Sequence, residues 1–234
     1  METATDKKIV IETRDIAKPY HESKIPVQAL KDVDLEIAEG EFTAIVGPSG
    51  SGKTTLLNII GGLDNPTSGT IKVAGRDISK LKESERIDFR LHNIGFVFQQ
   101  YNLIPVLTAR ENVEFIMLLQ KKPAKEMRER AMHLLGEVDL TDKANVRPSE
   151  LSGGQQQRVA VIRALASQPK FILADEPTAN LDSASAANLL DMMARMNREE
   201  GMTFIFSTHD QRVIDKARRV VTLEDGMIKT DEVR

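Results

Sequence analysis

The sequence predicts an α/β fold, in which a core of strands and helices carries a β-rich edge and one inserted helical segment. Three observations lead to this fold class. Short apolar or alternating runs, typical of strands, occur before residue 100 and again after residue 170. A glycine-rich segment joins one of these runs to a helical pattern within residues 42–60. From about Leu107 to Ala166 the apolar residues follow the period of a helix instead.

In the first hundred residues, apolar or alternating runs predict strands, and clusters of turn-forming residues separate them. Residues 42–46 read as a buried strand, and residues 54–60 read as the helix that follows the glycine-rich segment. Residues 64–69 combine Asp, Asn, Pro, Thr, Ser and Gly in a turn cluster. The strands predicted in this part of the chain are residues 9–11, 33–37, 42–46, 70–74 and 94–98.

The segment from Gly47 to Thr54 reads G-P-S-G-S-G-K-T and matches every fixed position of the phosphate-binding pattern G-x-x-x-x-G-K-[ST]. Three glycines let backbone N–H groups turn toward phosphate oxygens at the positive end of the following helix. Lys53 would reach the β- and γ-phosphates, and Thr54 would offer its hydroxyl to Mg²⁺. A Gly/Ser turn that meets the pattern by chance is the alternative, and the strand and helix around it argue against that.

The second half of the chain alternates helical and strand patterns. Residues 123–138 place apolar side chains on one helical face. Strands return at residues 171–174 and 203–206, and the end of the chain reads as a hairpin that turns at Asp225-Gly226. One helical insertion between the strands of an α/β core accounts for this order.

A second glycine-containing motif begins the last helix of the insertion. Its residues are Leu151, Ser152, Gly153, Gly154 and Gln155. Ser152 and Gln155 have the spacing of a capping box, and two glycines at a helix start leave backbone N–H groups uncovered. The motif reads either as a plain capped helix or as a second anion-binding site, and its occurrence together with the loop at Lys53 favours the anion site.

Asp175 and Glu176 follow four apolar residues at the end of a predicted buried strand. Because side chains alternate along a strand, the two carboxylates should leave in different directions. Asp175 fits the carboxylate that supports Mg²⁺ in P-loop ATPases, and Glu176 fits a general base on the attacking water. The alternative is an acidic surface turn.

Gln99 and His209 also follow apolar strands. Each alone is a weak signal, since a lone Gln or His is usually an ordinary surface or hydrogen-bonding residue. Parallel strands of one sheet share their carboxyl edge with the phosphate loop, so both side chains are expected near that loop.

The composition excludes several classes of function. A net charge of −3 over 234 residues argues against a protein whose main partner is nucleic acid. The absence of cysteine excludes disulfides, cysteine-ligated zinc and thiol catalysis. No stretch approaches the roughly 18 apolar residues of a membrane span, and the first residues lack the apolar core of a signal peptide.

Taken in order, these motifs resemble the nucleotide-binding subunit of ABC transporters, and the resemblance covers nearly the whole chain. It implies a P-loop NTPase fold of the ABC ATPase type, with a RecA-like core, an antiparallel β subdomain and an inserted α-helical subdomain. The implied single domain, residues 1–234, has a β-rich lobe with the P-loop at 1–106, a helical subdomain at 107–166 and a return of the core at 167–234.

The resemblance also implies a role for each matched residue. Tyr20 would stack on adenine, Gln99 would sense Mg²⁺ and the γ-phosphate, and His209 would contact the γ-phosphate. Asp182 would lie in a loop at the dimer interface, and the motif at Ser152 would face the ATP bound by a second chain. The implied ATP-binding set is Tyr20, Gly47, Pro48, Ser49, Gly50, Ser51, Gly52, Lys53, Thr54 and Thr55; the implied catalytic set is Glu176, His209 and Gln99; and the implied Mg²⁺ set is Thr54, Gln99 and Asp175.

The implied function is an ATPase that binds ATP and Mg²⁺, forms a head-to-tail homodimer and drives a separate membrane permease from the cytoplasmic face of the inner membrane. Residues 57–64, 96–103, 110–113 and 151–158 are similar to the lipoprotein-releasing, macrolide-exporting and cell-division branch. Tyr101, Leu103 and Ile104 are expected to be partly exposed in a groove that receives a permease helix.

Two other functions remain alternatives. Soluble ABC-type machines for DNA repair or translation typically carry a long coiled-coil insertion or a second cassette, and this sequence has neither. A regulatory protein that binds ATP without hydrolysing it would not need Glu176 and His209. The cargo and the direction of transport stay open, because substrate contacts would lie in the permease.

Overall fold

The computed structural model describes residues 8–20 and 27–234. Within them the chain forms two sheets and seven α-helices. The strands are β1 Ile9–Tyr20, β2 Val27–Ala38, β3 Phe42–Val46, β4 Ser68–Val73, β5 Arg76–Asp77, β6 Ile94–Val97, β7 Phe171–Asp175, β8 Thr203–Ser207, β9 Arg219–Glu224 and β10 Met227–Val233. The helices are α1 Lys53–Ile60, α2 Glu83–Asn93, α3 Ala109–Leu119, α4 Ala124–Glu137, α5 Gly153–Ala166, α6 Ser183–Glu200 and α7 Gln211–Lys216.

The central sheet has six strands in the order β10-β9-β3-β8-β7-β6. Strands β9, β3, β8, β7 and β6 are parallel, and β10 joins the edge antiparallel to β9. Strands β3 and β7 are almost entirely apolar and buried, as strands covered on both faces must be. The carboxyl ends of β3, β6, β7 and β8 therefore meet at one edge of the sheet, which is where ligands bind in such folds.

The second sheet is antiparallel, with the order β2-β1-β4-β5. Its inner face shares one apolar core with α1 and with one face of the central sheet. This core includes Leu30 and Val33 from β2, Leu56 from α1, and Ile45 and Ile205 from the central sheet. The packing holds the end of β1, and with it Tyr20, beside the loop that precedes α1.

Helices α3, α4 and α5 share a second core, which covers the other face of the central sheet. Val113, Leu134 and Ile162 are fully or almost fully buried there, together with Phe206 from β8. The three helices lie within the range predicted for the helical insertion. No helix of the described residues is long and apolar enough to cross a membrane.

The predicted α/β class is confirmed, but several elements, among them β1, β2 and α2, differ from the sequence prediction. Strands β1 and β2 are much longer than the three- and five-residue runs predicted for them. The prediction was too short because positive φ angles at Asp15 and Asp32 interrupt the alternation of side chains along each strand. Helix α2 was not predicted at all. Phe89 is its only buried residue, so it carries almost no apolar period.

Candidate nucleotide-binding site

The loop between β3 and α1 has a tightly constrained backbone. Gly47, Gly50 and Gly52 have φ angles of 152, 80 and 102°, in the region that favours glycine. A Cβ atom on Gly47 would lie 2.0 Å from the carbonyl oxygen of Leu223, and one on Gly52 would lie 2.3 Å from that of Ala29. The loop therefore rests directly on the backbone of β9 and β2, and no side chain fits at either glycine.

The same loop forms a site for an anion. Lys53 Nζ donates hydrogen bonds to the carbonyl oxygens of Gly47, at 2.8 Å, and Pro48, at 2.9 Å. An ammonium group has three donors, so one N–H remains for a phosphate oxygen. Helix α1 begins at Lys53, after a left-handed Gly52 and without an acidic residue in its first turn, so its positive end faces the loop.

A cavity of about 650 Å³ opens above this loop. Its volume lies within the range typical of small-molecule sites. It is lined by Tyr20, Ala29, Gly47, Pro48, Ser49, Gly50, Ser51, Gly52, Lys53, Thr54, Thr55, Gln99, Glu176, Ser207 and His209. The cavity thus brings together the predicted phosphate loop, the end of β1 and the residues that follow β6, β7 and β8.

The oxygen atoms of Thr54 and Asp175 lie side by side at the edge of the loop. Thr54 Oγ1 is 3.2 and 3.4 Å from the two carboxylate oxygens of Asp175. A hydroxyl and a carboxylate are the oxygen donors that Mg²⁺ prefers, usually together with substrate phosphates. The residues present therefore fit Mg²⁺, and the exposed Gln99 lines the same cavity.

Glu176 follows β7 directly and lines the cavity, but it lies outside the strand, so strand alternation does not set the direction of its side chain. Its Oε1 accepts a hydrogen bond from His209 Nδ1 at 2.7 Å, and Thr208 Oγ1 lies 3.4 Å from its Oε2. Glu176 has a φ of 46°, and its N–H donates to the carbonyl oxygen of Ser207 at 2.9 Å. Its side chain is only 16% exposed, whereas that of His209 is 75% exposed. The backbone bond to β8 thus holds an otherwise unfavourable conformation that turns the carboxylate into the cavity.

Tyr20 is fixed by contacts that the sequence did not indicate. Its hydroxyl donates to Asp64 Oδ2 at 3.0 Å, and Lys18 Nζ donates to Asp64 Oδ1 at 2.7 Å. The Lys18 ammonium also lies 5.3 Å from the centre of the Tyr20 ring, within the range of a cation–π contact. The orientation of the ring is therefore set by Asp64, from the turn cluster after α1.

Asp210 is a further residue that the sequence analysis missed. It accepts hydrogen bonds from the Arg212 side chain at 2.6 to 3.1 Å and from Thr178 Oγ1 at 2.7 Å. The bonds from Arg212, with that from Thr178, lower the pKa of the Asp210 carboxyl to about 2. Asp210 therefore ties the segment after Glu176 to the segment after His209.

The motif at Leu151–Gln155 lies outside this cavity. Ser152 and Gln155 form the predicted capping box, with Ser152 N donating to Gln155 Oε1 at 2.9 Å and Gln155 N donating to Ser152 Oγ at 3.3 Å. Ser152 is exposed and Leu151 is buried. Asp182 is also exposed, and it caps α6 through bonds from the N–H and hydroxyl of Ser185, which lower its pKa. Neither the motif nor Asp182 is among the residues that line the cavity.

The structure does not bring Tyr101, Leu103 and Ile104 into one groove, although all three are half-buried. Ile104 lines an apolar groove of about 320 Å³, together with Phe96, Phe98, Phe115 and Leu119. Leu103 packs instead against the core of the helices. The Tyr101 hydroxyl lies 3.4 Å from the carbonyl oxygen of Asn180.

Comparison with known proteins agrees with this arrangement. A model of the ABC transporter family matches residues 30–179. The chain belongs to the ABC transporter family. It is 46% identical over 97% of its length to an uncharacterised ABC transporter ATP-binding protein of Thermotoga maritima, 97% of which is covered. It is 42% identical to the lipoprotein-releasing system ATP-binding protein LolD of Legionella pneumophila, over 96% of this chain and 99% of LolD.

Solved structures support the same assignment. The dimeric, post-hydrolysis structure of the ATP-binding cassette MJ0796, with bound ADP and Pi, matches with a TM-score of 0.88. The two chains are 43% identical, over 95% of this chain and 98% of MJ0796, which comes from Methanocaldococcus jannaschii. The present chain is thus an ATP-binding, ATP-hydrolysing ABC transporter subunit with the ABC ATPase fold.

Proposed function

We propose that two copies of this chain, paired head to tail, hydrolyse ATP to drive a separate membrane permease of the export or lipid/lipoprotein-release type. One observation carries the proposal. The cavity holds a phosphate loop, a carboxylate and a histidine, but its lining includes neither the motif at Ser152 nor Asp182. Ser152 and Asp182 are exposed, so the motif and Asp182 of a second copy can reach the nucleotide. The dimeric cassette MJ0796 provides the precedent.

Within each site the residues of this chain divide the chemistry. Tyr20 stacks on the base, and the phosphate loop with Lys53 binds the phosphates. Thr54, Asp175 and Gln99 would hold Mg²⁺, which would neutralise negative charge on the phosphates. Glu176 takes the proton of the attacking water, and His209, hydrogen-bonded to Glu176, holds that carboxylate and contacts the γ-phosphate.

Head-to-tail pairing can be tested by complementation. Lys53→Ala disables the phosphate loop, and Ser152→Asp places a negative charge against the phosphate while keeping a good helix cap. In a mixed dimer one site has both defects and the other has none. A mixture of two inactive chains should therefore recover about a quarter of wild-type ATPase activity, because half of the dimers carry one intact site. No recovery in a mixture that still forms dimers would exclude head-to-tail sites.

The permease type is supported by the identity to LolD, whose name places it in a lipoprotein-releasing system. The chain would act as a peripheral protein at the cytoplasmic face of the inner membrane. The test is co-purification with a candidate permease, chosen as a membrane protein encoded by a neighbouring gene, followed by reconstitution in vesicles. Stimulation of ATP hydrolysis by a lipid-anchored protein, and not by the same protein without its lipid, would support lipoprotein release. Stimulation by a soluble nutrient in the presence of a binding protein would instead indicate import.

A further inference from the structure

Strand β8 ends in a serine whose hydroxyl is buried and unpaired. Ser207 is 1% exposed, and its Oγ has no hydrogen-bond partner among the residues that the structure describes. A buried polar group without a partner destabilises the fold, because it has lost its hydrogen bonds to water. Ser207 also lines the nucleotide cavity. A hydroxyl of this kind at the wall of a ligand site indicates that its partner becomes available when the site is occupied.

The place of Ser207 in the central sheet identifies that partner. Strand β8 lies between β3 and β7, and Ser207 is in register with Ile45 on one side and Asp175 on the other. Ile205, two residues earlier, packs in the core next to α1, so alternation along the strand turns Ser207 to the same side. Asp175 also faces that side, since it contacts Thr54 at the start of α1. Of the two neighbours in register, Ile45 is apolar and Asp175 offers carboxylate oxygens.

In this structure Asp175 is turned toward Thr54 instead. Both of its oxygens lie near Thr54 Oγ1, at 3.2 and 3.4 Å, which is long for hydrogen bonds between oxygen atoms. Neighbouring strands are about 4.8 Å apart, so a rotation of the Asp175 side chain brings one oxygen within reach of Ser207 Oγ. A metal ion at Thr54 and Asp175 would occupy one carboxylate oxygen and leave the other free to accept that bond.

We propose that Ser207 is a positioning residue for the metal: its hydroxyl donates to Asp175 when Mg²⁺ is bound and holds the carboxylate in the orientation that the metal needs. The inference rests on the proposed function, in which Asp175 is one of the Mg²⁺ ligands. A hydroxyl that donates to an ionised carboxylate makes a stronger bond than one between neutral groups. The unpaired hydroxyl of the empty site is thus paired in the loaded site, and this change favours metal binding.

Three variants of Ser207 test the inference. Ser207→Ala removes the hydroxyl, Ser207→Cys keeps the size with only a weak donor, and Ser207→Thr keeps the hydroxyl. Ser167→Ala is the matched control, because Ser167 is 7% exposed, donates to the carbonyl of Ala164 at 3.3 Å and lies outside the lining of the nucleotide cavity. The measurement is the affinity for a non-hydrolysable ATP analogue, with Mg²⁺ and with EDTA. We expect the gain in affinity from Mg²⁺ to fall about tenfold in the Ala and Cys variants. Ser207→Thr and the control should keep the gain of the wild type.

The melting temperature without nucleotide is the second readout. Ser207→Ala should melt at or above the wild-type temperature, because it removes an unpaired buried group. A purely structural role would lower the melting temperature and leave the gain from Mg²⁺ unchanged, which would overturn the inference. A wild-type gain in Ser207→Cys would overturn it as well. Asp175→Asn tests the proposed function separately. If Asp175→Asn keeps the full gain, the proposed metal ligands are wrong; if it loses the gain while Ser207→Ala keeps it, only this inference fails.

Discussion

Replacing Glu176 with Gln should separate ATP hydrolysis from ATP binding. The amide has the size of the carboxylate, and its oxygen can still accept the hydrogen bond from His209 Nδ1, now 2.7 Å long. The backbone bond from Glu176 N to the carbonyl oxygen of Ser207 does not involve the side chain at all. The local structure should therefore survive, with a loss of stability of no more than about 1 kcal/mol.

The catalytic loss should be much larger. Removal of a general base slows a reaction by about 10²–10⁴, equivalent to about 2.7–5.4 kcal/mol of barrier. We therefore predict a large loss of ATP hydrolysis with little change in the free energy of unfolding. ATP should also hold the variant as a dimer, since we expect the pair to separate only once ATP has been hydrolysed and the products have left.

Three measurements check this: phosphate release, thermal unfolding and size-exclusion chromatography with ATP and Mg²⁺. Glu200→Gln, at the exposed end of α6, is the matched control and should behave as wild type in all three. Hydrolysis by Glu176→Gln within about threefold of wild type would remove Glu176 from the role of base. A lower melting temperature in proportion to the lost activity would point to damage of the fold instead.

Three further predictions follow from the contacts. Tyr20→Ala should weaken nucleotide binding about fivefold or more, because stacking on an aromatic ring contributes about 1–3 kcal/mol. Tyr20→Phe should lose less affinity, since it removes only the hydrogen bond to Asp64. Equal losses of affinity in a nucleotide titration would contradict stacking. Asp210 has a pKa of about 2, so its carboxylate stabilises the fold above the ordinary Asp pKa and loses that effect as the pH falls toward 2. Denaturant unfolding of wild type and Asp210→Asn should differ by about 1 kcal/mol at pH 7, after allowance for solvent screening, and converge in acid. Ile104→Glu should reduce permease-stimulated turnover about tenfold more than Val106→Glu, which alters a side chain already 70% exposed. Equal effects of the two variants would mean that the groove at Ile104 is not the permease contact.

The sequence predicted the central sheet well because its strands are apolar and end in recognisable residues. Strands β3, β7 and β8 were placed to within one residue, since both faces of each are covered and the apolar run is continuous. Helices α3 to α5 fell where the helical period was found. Strand β1 was underestimated because the positive φ at Asp15 interrupts its alternation and its register shifts several times.

The sequence predicted those residues of the site that would act through a particular side chain. Lys53, Thr54 and Glu176 line the cavity, and each was predicted because a phosphate, a cation or a water would require that kind of side chain. Ala29 and Ser207 line it as well, and their backbones contact its other residues: the carbonyl of Ala29 leaves no room for a side chain at Gly52, and that of Ser207 accepts a hydrogen bond from Glu176 N. Because almost any residue can supply a backbone carbonyl, these roles could not be predicted from the sequence.

Asn112 shows how the segment between the site and the groove is held by side chains that no motif indicates. It is fully buried in α3, and its Oδ1 accepts from Ile104 N at 2.7 Å. Its Nδ2 lies 3.0 to 3.1 Å from the carbonyl oxygens of Ile104, Leu107 and Thr108. A buried amide with all its partners in one turn fixes that turn, because any displacement leaves a polar group unpaired at a cost of about 1–3 kcal/mol. Asn180 holds the carbonyl of Gln99, and Arg163 holds those of Tyr101 and Asn102. The segment from Gln99 to Ile104 is therefore stiff, and stiffness is what a segment needs if ATP binding at one end is to move a permease at the other.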